Sequence, residues 1–171
     1  MTNTTQTAKP HGLVAKLFHW GTAGLLGYGY LTGVEDISQL ADPAKFSTEI
    51  RFAVVMGLAF LLRFFWMQRI NGHTRLSLDA PRWEHALSRF AHYGIYIGVG
   101  LIVLSGLAIA YGYTVPALSG LFVSAMIGLH EFALAATAVL LAAHIGGALW
   151  HKFVRKDGIW ESMLPKWGKR A

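Results

Sequence analysis

The stretch GLHEFALAATAVLLAAHIGGALW, Gly128 to Trp150, decides the fold. It carries a single charge, Glu131, and is otherwise apolar apart from two histidines and a threonine. A helix that crosses the ~30 Å hydrocarbon core of a bilayer needs about 20 such residues in a row. Working outward from it, three more segments read the same way. A first span is expected at about 13–33, a second at about 50–70, and a third at about 92–113, with the quoted stretch, 128–150, as the fourth. The segment from Thr114 to Ile127, with Pro116 and Gly120, is too apolar for a free loop and is expected to lie in the membrane interface.

Composition agrees with this reading. Hydrophobic residues make up 54% of the 171 and charged residues only 14%. A soluble domain of this size must face water and has no use for so much apolar surface. The expected fold is therefore an all-α integral membrane protein, a four-transmembrane-helix bundle forming one domain over 1–171. No repeat, second domain or signal-peptide pattern is visible. The chain has no cysteine, which excludes disulfides, iron–sulfur ligation and covalently attached haem.

Charge sets the topology. Twelve of the fifteen Lys and Arg residues fall in the N-terminal arm, the loop between the second and third spans, and the C-terminal tail. The opposite side has Lys45 and Arg51, offset by Glu35, Asp36, Asp42 and Glu49. By the positive-inside rule both termini are cytoplasmic. The net charge of +6 then reads as topology and lipid contact, and no nucleic acid is needed to explain it.

Eight histidines mark the functional candidates. His19 lies about six residues inside the first span, and His144 lies as far from the end of the fourth, so both rings sit ~10 Å deep at matching depth. Two neutral imidazoles at one depth can clamp a haem iron from both faces, and such ligation suits electron transfer. The competing reading is hydrogen bonding across helices. His130 and His144 are fourteen residues, close to four turns, apart on one helix, and so point the same way ~21 Å apart. That spacing suits a helix serving two haems stacked across the bilayer. Glycines at 21, 24, 27 and 29 and at 94, 98, 100 and 106 would admit a planar ligand or allow close helix packing. Arg63, inside the second span, has a haem propionate or the interface as partner. His92 and His151, at the cytoplasmic ends of their spans and shallower than the pair, could border a quinone pocket or contact lipid headgroups.

These residues resemble the bacterial cytochrome b561 family. The resemblance lies in His19-Trp20, Arg63, and Pro81-Arg82-Trp83-Glu84 before His92. It continues through Leu129-His130-Glu131, His144, His151-Lys152-Phe153, Asp157-Gly158 and Met163-Leu164-Pro165. It implies a bacterial inner-membrane bundle with two haem b groups, the inner one held by His19 and His144 and the outer one by His130 and a second ligand. It further implies electron exchange with quinone, and in some members oxidation of superoxide. One ligand is missing. The family places a histidine fourteen residues before the arginine, and this chain has Glu49 there. By the topology above, His130 is alone in the outer half. Either the outer haem is absent, or Met56 or Glu49 replaces the histidine, or a partner subunit supplies it.

Two functions follow as expectations. The first is a b-type haem electron carrier working between a redox partner and the quinone pool, with one or two haems. The second is a membrane anchor or accessory subunit of a larger respiratory or photosynthetic complex that has lost part or all of its haem. No residue is expected to be catalytic, because the charges on the outer side largely cancel.

Overall fold

The structure, a computed structural model, describes residues 12–71 and 80–164. The expectations made for His11, His73 and the outermost basic residues lie outside these. The described residues form helices and turns with no strand.

Helix α1 runs Leu13–Thr32, α2 Pro43–Trp66, α3 Arg82–Thr114 and α4 Leu121–Trp150, followed by a short α5, Ile159–Met163. Local chemistry sets their limits. Asp42 accepts from the Ala44 amide at 2.8 Å, with Pro43 in the first turn, so α2 starts where its free N–H groups are capped. In the connection before it, Asp36 accepts from Ser38, and these hydrogen bonds hold its carboxyl below the usual range. After Trp66 and again after Trp150 the helix widens into a single π-type turn. The second of these ends at Lys156 and Gly158, both left-handed at φ 52° and 80°, and this bend turns the chain back as α5.

Two boundaries differ from the sequence reading. α3 begins ten residues before the expected third span, at Arg82 directly after Pro81, whose carbonyl accepts from Glu84. α4 begins at Leu121, so most of the expected interfacial segment is helix and only Val115 to Gly120 is turn. The α3 start lies on the polar run Arg82-Trp83-Glu84, which hydropathy does not mark, and α4 starts directly after Gly120.

α2, α3 and α4 are each long and apolar enough to cross a membrane. Much of their apolar surface points outward, as at Leu58, Leu62, Ile97, Leu104 and Val139. Such a surface calls for lipid as solvent. α1 has 20 residues, long enough at 1.5 Å each to reach across the hydrocarbon core, but Lys16, His19 and several glycines lower its hydropathy.

Packing follows chain order. α3 and α4 are most extensively paired, then α2 with α3 and α1 with α2. In lipid the driving force is close packing rather than escape from water. The α3–α4 contact shows it: a Cβ built on Gly94 would lie 2.9 Å from Leu140, and one on Gly106 3.3 Å from His130. A Cβ on Gly98 would collide with Thr137. These three glycines therefore serve helix packing. By contrast Gly21, Gly24 and Gly27 on α1 have open space beyond them. The central core is Leu26, Met56, Phe60, Val99, Ile102, Val103 and Ala133.

Candidate functional site

The start of α1 and the end of α4 lie at one end of the bundle, called here the tail end. α5 ties them together. Lys16 donates from Nζ to the Leu164 carbonyl at 2.7 Å, and Trp20 from Nε1 to the Met163 carbonyl at 3.0 Å. Lys16, one of the basic residues counted for topology, is only 7% exposed, covered where it donates to the end of α5. Beside them Arg155 pairs with the buried Glu84 of α3 at 3.5 Å.

Above this cap the site builds from α1. His19 sits one turn from Thr22, whose hydroxyl donates to the Phe18 carbonyl at 2.6 Å and accepts from Arg63 Nη1 on α2. Arg63 Nη2 lies 2.9 Å from His19 Nδ1, and its guanidinium lies over the Tyr96 ring, 5.9 Å from the centroid. A charge that deep in a bundle must be paired or solvated by polar groups, and Thr22, His19 and Tyr96 do that here. Guanidinium only donates, so His19 Nδ1 accepts and its ring proton sits on Nε2.

His144 faces this group from α4, its ring centroid 6.2 Å from that of His19 with the planes at 50°. With metal–nitrogen bonds of about 2 Å and ordinary ring dimensions, two imidazoles on opposite faces of one iron bring their centroids to about 6–6.5 Å. The pair fits. α1 and α4 also lack extensive backbone contact, so the two rings meet across a separation rather than a packed seam. The fit has one condition. A histidine that ligates through Nε2 carries its proton on Nδ1, so Arg63 and an iron ask His19 for opposite tautomers. Among the described residues no group of three or more His, Asp or Glu side chains gathers as a metal centre. Haem needs only two protein ligands.

His92 is where the sequence reading needs correction. Placed at a span end, it was expected to lie shallower than the pair; its ring instead meets His144 edge-on at 4.9 Å, planes at 83°. Because α3 starts at Arg82, His92 is nearly three turns into the helix and reaches the same level. Its Nδ1 donates to the Ser88 carbonyl at 2.6 Å, which leaves Nε2 with the lone pair. With centroids 4.9 Å apart, His92 and His144 are too close to stand on opposite faces of one iron. His151 is engaged elsewhere, with Nδ1 2.7 Å from Asp157 Oδ2.

Halfway along α4 Thr137 is fully buried, and its hydroxyl has no partner among the described residues. Two turns further, at the far end, His130 Nδ1 meets the Ser105 hydroxyl at 2.9 Å. That hydroxyl gives its proton to the Leu101 carbonyl, so His130 must donate to it. Met56 is 4% exposed within the core, and Glu49 pairs with Lys45 at 3.6 Å. Sequence reasoning missed Thr22, Ser88, Tyr96 and Ser105. Thr22, one turn after His19, and Ser88, one turn before His92, left a readable spacing.

Fold and site together define a class: an all-helical membrane protein whose buried histidines from separate helices converge at one end of a bundle. The description of prokaryotic cytochrome b561 matches residues 10–166, and the chain belongs to that family. No curated protein and no solved structure matches it.

Proposed function

We propose that the chain is a b-type haem electron carrier of the bacterial inner membrane. In this reading it is a single domain crossing four times, with α1 as the first span and both termini cytoplasmic, so the tail end is the inner end. The observation that carries it is the 6.2 Å separation of His19 and His144, on two helices that do not otherwise pack closely.

His19 and His144 would hold the haem iron from its two faces, and Arg63 is the cation available to a propionate once it releases His19 Nδ1. When bound, haem supplies a one-electron couple with no open coordination position. The chain does the rest. Thr22 steadies Arg63, and Ser88 fixes the tautomer of His92. Beside Arg63, Tyr96 packs edge-on against Phe60 and Phe64, which lowers the local polarity.

The electron partner we propose is quinone, arriving through the lipid near the tail end. His151, oriented by Asp157, and His92 both present Nε2 as a proton acceptor for a hydroquinone hydroxyl. Retention of the His19–His144 pair argues against the reading as a haem-free anchor subunit.

The test is optical. Purified protein is expected to show a low-spin b-type spectrum that disappears in His19→Ala and in His144→Ala and survives in His92→Ala. A full spectrum in either of the first two variants would refute the pairing.

A further inference from the structure

We propose that the far half of the bundle holds no haem, and that electrons both enter and leave this chain at its tail end. The inference rests on the reading above and departs from the two-haem pattern that family membership suggests.

A second haem would need a ligand opposite His130 and room beside it. The first is missing. On α2 the position fourteen residues before Arg63 is Glu49, and its carboxylate is taken up with Lys45. Met56 is the other donor on that helix, and it is enclosed with Leu26, Phe60, Val99 and Val103. To reach an iron its thioether would have to leave this buried cluster, opening a cavity there.

Room is missing as well. At the tail end the His19 and His144 rings face each other across α1 and α4, 6.2 Å between centroids. At the far end Tyr30 of α1 donates from its hydroxyl to the Leu134 carbonyl of α4 at 2.7 Å, one turn from His130. This bond holds α1 against α4 where a far-half porphyrin would have to pass between them. Beside it Phe52 is pressed against Gly29, where a Cβ would lie 2.9 Å from the ring, and stacks with Tyr28 at 5.4 Å. His130 is itself satisfied by Ser105 and rests against Gly106. At the far end α1 is thus bonded to α4, and the histidine there, His130, is hydrogen-bonded to Ser105.

The consequence is for electron flow. His130 and His144 are ~21 Å apart along the axis, so an electron bound for the far surface would cross that distance with no second centre. The chain's place in a reaction sequence is then one-sided. Its donor and acceptor both approach the tail end, one of them a hydroquinone in the lipid, the other a one-electron acceptor on the same side or in the same plane. No charge crosses the membrane through this chain.

The experiment is haem per polypeptide by the pyridine haemochromogen method on the purified full chain, with a redox titration of the same sample. The expected result is about one haem per chain and a single one-electron step, unchanged in Glu49→Ala and in His130→Gln, which keeps a donor for Ser105. In proteoliposomes, an impermeant oxidant on the tail side is expected to reoxidise the haem and the same oxidant on the far side to leave it reduced. A ratio of about two, or loss of half the haem in His130→Gln, overturns this inference and leaves the carrier reading standing. A ratio of zero removes the carrier reading, and this inference with it.

Discussion

Replacing Gly98 with alanine should separate α3 from α4 at the level of Thr137, and the cost can be worked from the contact. The added methyl would overlap the Thr137 Oγ1 and lie 3.3 Å and 3.7 Å from its Cβ and Cγ2. Relaxing the overlap to ordinary contact requires a shift of about 1 Å or more. Thr137 is fully buried, and Val99 and Ala133 are each 1% exposed, so neither helix has slack to give. Overpacking of this kind costs about 1–3 kcal/mol, and the absence of slack points to the upper half of that range. Thr137→Ala removes the obstructing atoms. Its hydroxyl has no partner to lose, so this variant should cost only about 1 kcal/mol for the small void. The double variant then seats the new methyl in the vacated space, giving a favourable coupling of about 1–2 kcal/mol. Unfolding by SDS titration from detergent micelles, followed by helical circular dichroism, reads all four species. A Gly98→Ala change within about 0.5 kcal/mol of wild type, or strict additivity of the two, would refute the packing argument.

Other perturbations act at the two ends. Tyr30→Phe removes the hydrogen bond to Leu134 and should cost about 0.5–1.5 kcal/mol in the same titration while leaving haem content unchanged. Arg155→Met leaves the Glu84 carboxylate buried without its cation. Because Arg155 is about a third exposed, the expected loss is only about 1–2 kcal/mol, and Glu84→Gln should be milder; the reverse order would contradict the pairing. Lys16→Met takes the donor from the last α5 carbonyls. Limited proteolysis should then cut after Arg155 sooner than in wild type, with the four long helices intact.

The long helices were legible because a bilayer demands unbroken apolar runs, and His19 and His144 because equal depth can be counted along a helix. Depth counting failed at His92 for a plain reason. It assumed that α3 began where its apolar run begins, whereas Pro81 starts the helix at Arg82 and carries His92 to the level of His144. Nothing in hydropathy marks that start. The partners of the buried polar groups were hidden too: Ser105 meets His130, and Thr22 and Tyr96 meet Arg63, only because of how neighbouring helices are rotated. That a returning α5 covers Lys16 was hidden as well, since charge alone does not say so. That Glu49 stands fourteen residues before Arg63 was readable, being a matter of residue type at a counted position. That Tyr30 bonds to the Leu134 carbonyl was not, since this depends on the rotation of α1 against α4.

The most direct test of the His19–His144 assignment keeps the haem and changes its ligand. In His144→Met a thioether takes the place of an imidazole, and His/Met ligation raises the reduction potential of haem iron. The account predicts a retained low-spin haem whose midpoint, measured by optical redox titration, moves upward from the wild-type value. An unchanged midpoint with an unchanged spectrum would mean that residue 144 does not touch the iron.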